Sequence, residues 1–149
     1  MRRGKSRDAL RVMIADTAVM DHIRRQWSVV RQFADFRGRA YQIPGGPFLA
    51  ESGPPEEFYN LPFVLAYGIL QQTLDALAAE GHFPESRHLA TVMEESRAVL
   101  PWQDYPRVFQ GKEDRNHLAH RGKLFPREHC RAAVDAVETE LRAWGIVVE

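Results

Sequence analysis

Leu61-Pro62-Phe63-Val64-Leu65-Ala66-Tyr67-Gly68-Ile69-Leu70-Gln71-Gln72-Thr73-Leu74-Asp75-Ala76-Leu77-Ala78-Ala79-Glu80 is the stretch that decides the fold. Its first half is apolar nearly all round (Leu61, Phe63, Val64, Leu65, Ile69, Leu70), and its second half is amphipathic at Leu74 and Leu77. A helix with that distribution belongs at the centre of a bundle, buried on most sides. Gly81 is placed to stop it.

Working outward, the flanks also carry helical spacing. From Ser6 to about Phe36 the apolar residues Leu10, Met13, Met20, Ile23, Trp27, Val30 and Phe33 fall at steps of three, four or seven, which predicts one long amphipathic helix. A third helix is expected from about Glu85 to Leu100, with Leu89, Val92, Met93 and Val99 inward and Pro101 ending it. A final helix starts near Pro126 and runs through Cys130, Val134, Val137, Leu141 and Trp144 to Gly145. Strand signals are almost absent; Ile146-Val147-Val148 is β-prone and reads as a frayed tail. Four or five helices with short connections make an all-α antiparallel bundle, with residues 1–149 as one domain. The exception is the segment 37–60, where eight of 24 residues are Gly or Pro. No helix survives that composition, and the segment is either functional or a cover packed on the core through Tyr41, Ile43, Phe48 and Phe58.

Composition narrows the function classes. The 149 residues carry 20 Lys+Arg and 20 Asp+Glu, and no run approaches the roughly 20 apolar residues of a membrane helix. The N-terminus is basic, but an amphipathic pattern follows it rather than the apolar core of a signal peptide. A single cysteine, Cys130, excludes an internal disulfide and a multi-thiolate metal site, and suits a cytoplasmic protein. No Gly-rich stretch has the spacing of a mononucleotide or dinucleotide loop. Charge is uneven: residues 107–131 hold seven basic and three acidic side chains, whereas residues 51–100 hold two basic and eight acidic. Solvated helix faces account for much of such imbalance, but the basic segment is also the one that carries chemistry.

Between the third and last helices, Arg115-Asn116-His117-Leu118-Ala119-His120-Arg121-Gly122 reads as a helix end. Gly122 suits the left-handed closing conformation, and His120 and Arg121 suit the cation-favouring last turn. If the helix runs unbroken through Gly111, Tyr105, Phe109, Asn116 and His120 share one sector, which puts Asn116 in a core-like position. A polar group there is unfavourable by about 1 to 3 kcal/mol unless satisfied, and His120, four residues on, is a hydrogen-bonding neighbour. Arg115 lies roughly 140° around the axis from His120 and roughly 7.5 Å along it. The two meet at one phosphate only if the helix bends, the arginine reaches round, or a second subunit supplies its copy across a twofold axis.

The order Arg115-Asn116-x-x-x-His120 resembles the Arg-x(4–6)-His motif of the HEPN superfamily in its common Arg-Asn-x-x-x-His form. In that family too the motif precedes the last helix of a small all-α bundle. The match covers six residues with three fixed identities, and the Gly/Pro-rich segment between the first two helices departs from it. The resemblance implies a metal-independent endoribonuclease that needs no cofactor, works as a homodimer and acts in some cases as a toxin with a nucleotidyltransferase-type antitoxin. It equally implies the alternative of an inactive module that binds nucleic acid, nucleotides or a protein. The implied catalytic residues are Arg115, Asn116 and His120, and the RNA-binding ones Lys112, Arg121, Lys123 and Arg127. Histidine exchanges protons near neutral pH and arginine offers a permanent fork of donors to a phosphate, so these residue types suit attack by a 2′-hydroxyl. Read without the motif, Arg115 and His120 are a surface arginine and a helix-end histidine. Glu113, His117 and His120 also have a spacing that brings three metal ligands onto one helix, although no second group of ligands accompanies them.

Overall fold

The computed structural model describes residues 14–38, 40–50 and 53–148. It is an all-α bundle of five helices with one short hairpin: α1 Thr17–Asp35, β1 Ala40–Gln42, β2 Phe48–Ala50, a 3₁₀ turn Glu56–Tyr59, α2 Asn60–Ala79, α3 Leu89–Ser96, α4 Tyr105–Arg121 and α5 Arg127–Ala143. Helix α2 is the hub, packing on α1, α3, α4 and α5. Phe63, Tyr67, Leu70, Leu74 and Leu77 have no exposed surface, and they meet Ile23, Trp27 and Val30 from α1 and Val134, Val137 and Leu141 from α5. Burying each such side chain stabilises the fold by about 1.5 to 3 kcal/mol before entropy is counted.

Several boundaries differ from the sequence reading. The first helix starts at Thr17 rather than Ser6, because the extended Asp16 caps it, accepting from the amides of Ala18 and Val19. Leu10 and Met13 lie outside the described residues. The preceding Ala15 amide bonds both carboxylate oxygens of Glu80, tying the entry of α1 to the far end of α2. Phe33, expected inward, is exposed and touches Phe58 edge to face at 5.9 Å. Helix α3 is shorter than expected at both ends, and Val99 is exposed while Leu100 takes the inward place. The tail Ile146-Val147 is not frayed: both residues are buried, and left-handed Gly145 turns the chain so that the amides of Ile146 and Val147 donate to the Leu141 carbonyl.

The Gly/Pro-rich segment holds the one strand pair among the described residues, with Ala40 opposite Ala50, Tyr41 opposite Leu49 and Gln42 opposite Phe48. Pro44 and Gly45 occupy the central places of its turn, Gly45 at φ 72° and the Gly46 amide donating to the Ile43 carbonyl at 2.9 Å. Proline followed by a positive-φ glycine is the requirement of a type II turn. Ile43 and Phe48 are exposed, so these two do not form the expected cover; Phe58 does pack against the core. The Tyr41 side chain is outside the described part of the structure.

Candidate active site

Helix α4 begins where Asp104 accepts from the Arg107 amide. A second carboxylate braces the same end: Glu140 of α5, fully buried, accepts from the Gln103 amide at 2.8 and 3.1 Å and from the Asp104 amide at 2.7 Å. A buried charge is tolerated when such donors surround it, and the positive end of α4 adds to them. The helix then runs unbroken through Gly111 to Arg121 and closes at Gly122, φ 64°, as its residue types predict.

Glycine at 111 is what lets α4 settle on α2. The buried Tyr67 hydroxyl donates to the Val108 carbonyl at 2.8 Å, and a Cβ at Gly111 would stand 1.9 Å from that same oxygen. Burial first, and Asp114 second, push the Tyr67 phenol well above the usual tyrosine range, with Arg115 and Arg107 opposing. The buried face of α4 is therefore Val108, Gly111 and Lys112, with Leu118 partly buried against the core.

That face places the predicted residues differently from the helical-wheel reading. Asn116 is half-buried on the shoulder of the helix, not in the core, and no hydrogen bond joins it to His120, which is exposed. Arg115 is also half-buried, its Nε enclosed with no hydrogen-bond partner. Burial draws its guanidinium below the ordinary arginine range, opposed by Tyr67. So the arginine is no surface side chain, and the histidine at the end of the same helix faces solvent. Helix α4 is one continuous element from Tyr105 to Arg121, with both residues on it.

Of the four residues expected to hold RNA, Arg121 and Lys123 are exposed. Lys123 Nζ lies 5.2 Å from the Phe125 ring centroid. Arg127 is half-buried, its guanidinium 4.9 Å from the Tyr59 ring centroid and its Nε and Nη2 enclosed without partners. Lys112 departs from its expected role as a surface cation: it is buried, 2.6 Å from Glu113 Oε1 and over the Phe109 ring at 4.1 Å. The Lys112 hydrogen bond holds the Glu113 carboxyl below its usual range. Its stem fills the shoulder of α4.

Sequence reasoning missed the pairing of His129 with Asp114 (2.8 Å), which joins α5 to α4. The Phe125 ring stacks on that imidazole at 4.5 Å, and Asn60 holds Phe125 in place through both its backbone groups. Two residues 15 apart, one in each of two helices, leave no periodic signal. Among the described residues no group of three or more His, Cys, Asp and Glu side chains could hold a metal ion, so Glu113, His117 and His120 do not form a ligand set. No helix of the described chain is long and apolar enough to cross a membrane. Comparison with family models, with curated proteins and with solved structures finds no match for this chain.

Proposed function

We propose that this chain is a metal-independent endoribonuclease of the HEPN type that works as a homodimer. The observation that carries the reading is Arg115: a half-buried guanidinium with an enclosed, unpaired Nε, on the unbroken helix that also bears Asn116 and His120 and that ends at Gly122 just before the last helix. No hydrogen bond or ion pair among the described residues engages this arginine, which leaves the rest of its planar fork to a phosphodiester. His120, exposed at the end of the helix, moves protons to or from the 2′-hydroxyl and the leaving 5′-oxygen. Arg115 stabilises charge building on the phosphorus oxygens, and Asn116 orients the imidazole or donates to a phosphate oxygen. The product carries a 2′,3′-cyclic phosphate, and DNA resists. Arg121 and Lys123 hold the flanking backbone, in binding that weakens as salt rises.

The homodimer is supported by two features. On an ideal helix Arg115 and His120 point roughly 140° apart, so one phosphate is reached by the arginine of one copy and the histidine of the other. Leu61, Val64 and Leu65 of α2 are exposed although the sequence expects them buried, a face of the kind that oligomers cover. Toxin action with a nucleotidyltransferase-type antitoxin, in the cytoplasm, extends the same reading. The divergence also favours one second reading, an inactive module of this type that binds nucleic acid through its basic residues without cutting it.

Cleavage of single-stranded RNA in EDTA tests both. Arg115→Ala and His120→Ala each lower the rate by about 10² to 10⁴-fold, the usual range for losing a proton-transfer or charge-stabilising group. A mixture of the two inactive variants regains activity, because a mixed dimer rebuilds one intact composite site. Activity that survives both substitutions overturns the mechanism. Salt-sensitive binding with no cleavage by the wild type establishes the binding module instead.

A further inference from the structure

The side of α4 that faces α5 carries a second constellation. Arg107, Gln110 and Asp114 of α4 and His129 of α5 line a cleft of about 250 Å³, with only Gly111 and small side chains such as Ala132 along it. Both oxygens of Asp114 are engaged: Oδ2 with His129 Nε2 at 2.8 Å, Oδ1 by the Gln110 side-chain amide at 3.1 Å. The Asp114 side chain is 16% exposed, against 41% for His129, so the carboxylate sits beneath and the imidazole stands at the opening. His129 Nδ1 has no partner, and the Arg107 guanidinium makes no hydrogen bond or ion pair among the described residues.

We infer that this cleft binds a phosphoryl group, with the Arg107 guanidinium and the His129 imidazole as the two groups that hold it. Asp114 fixes the ring through Nε2, so Nδ1–H is the donor left over when the ring is charged. Arg107 stands two turns before Asp114 on the same face of α4, seven residues being almost two full turns. Two donors on one cleft, with both Asp114 oxygens already engaged by His129 and Gln110, favour a compact oxyanion over a cation. The small residues leave room for a tetrahedral group and exclude the need for any side chain to move aside. The inference does not rest on ribonuclease activity, since none of its residues belongs to the Arg115, Asn116 and His120 set.

Titration of the full chain with inorganic phosphate, followed by ¹H–¹⁵N NMR of the His129 ring and the Ala132 amide, tests it. Saturable shifts are expected at both positions, with affinity falling about tenfold or more in Arg107→Gln, the loss of one charge-assisted bond. His129→Gln separates binding from bracing: a glutamine amide still reaches Asp114 from the Nε2 position, so thermal stability stays close to wild type while phosphate binding falls. Arg87→Gln, remote from the cleft, binds as the wild type. Absence of saturable shifts, or shifts unchanged in Arg107→Gln, overturns the proposal. An RNA oligonucleotide with a 5′-phosphate and the same one with a 5′-hydroxyl then distinguish the sources. Displacement of phosphate by the first alone assigns a terminal phosphomonoester, by both an internal phosphodiester, and by neither a free anion.

Discussion

Two regions of the molecule treat arginine in opposite ways. Where α1 meets α5, Arg31 is gripped by Asp35, Asp135 and Glu138, each at 2.9 Å, and Glu138 also accepts from the Trp27 indole. On α4, Arg115 is as much a part of the packing, yet its Nε is enclosed with no partner at all. An arginine whose task is to join two helices is surrounded by carboxylates that repay its desolvation. An arginine kept near the surface of a helix with no such repayment is a cost to the fold, and local rules are broken in this way at sites where a ligand supplies the missing partner. The contrast supports the proposal made for Arg115, whereas Arg31 joins α1 to α5.

The largest effect on stability is expected where α4 is pressed against α2. Gly111→Ala brings a Cβ to 1.9 Å from the Tyr67 hydroxyl and 2.8 Å from its ring carbon, and Tyr67, fully buried, has nowhere to go. Replacing glycine by alanine inside a helix would by itself gain about 0.5 to 1 kcal/mol, but overpacking a core costs about 1 to 3 kcal/mol or more, so the net sign is destabilising. Urea unfolding measures it. Adding Tyr67→Phe removes the nearest atom and recovers part of the loss, so a double-mutant cycle with no coupling between the two positions would show that the contact does not set the distance of α4 from α2.

Much of this geometry was legible in the sequence, and the misses have causes. Gly81, Gly122 and Gly145 announce helix ends because a positive φ is needed there and glycine takes it without strain. The inward stripe of α5 is legible because Cys130, Val134, Val137, Leu141 and Trp144 recur at steps of three or four. The sector of α4 was misjudged because its true buried face includes a glycine and a lysine, neither of which counts as apolar, while Tyr105 and Phe109 pack only partly. The hairpin escaped notice because three-residue strands are too short to show alternation, although Pro44-Gly45 between them carries the turn signal. Glu140 and the pairing of His129 with Asp114 depend on which helices become neighbours, which no local pattern encodes. Of the candidate site, sequence supplies the residue types of Arg115, Asn116 and His120, and burial of the arginine is visible only in the fold.

A direct way to break the contrast between the two arginines is to replace each with methionine, which keeps the aliphatic bulk and removes the charge. Arg31→Met leaves Asp35, Asp135 and Glu138 without their shared cation, and a loss of about 1 to 2 kcal/mol is expected from a partly buried network of this kind. Arg115→Met removes an enclosed unpaired donor, and stability should stay within about 0.5 kcal/mol of wild type or rise. Equal losses at both positions, measured by chemical denaturation, would sink the claim that Arg115 is held for an external anion.

The smallest expected effect concerns Cys130. Burial pushes its thiol up to about 11, from an ordinary value of 9, and its Sγ lies 3.6 Å from the Phe125 carbonyl. Because the folded state favours the protonated thiol, this group's contribution to stability is complete below pH 9 and is lost as pH rises toward 11. Thiolate is the reactive form, so in the native protein iodoacetamide should modify Cys130 far more slowly than a free thiol at neutral pH. The Phe125 that covers the cysteine is also stacked on His129, so labelling reports on the same corner of the bundle that braces α4 to α5. His129→Ala frees that stack and should speed labelling by about two- to fivefold, the scale of a loss below about 1 kcal/mol in local opening. A rate unchanged by that substitution would mean that Asn60, which holds both backbone groups of Phe125, secures the corner alone.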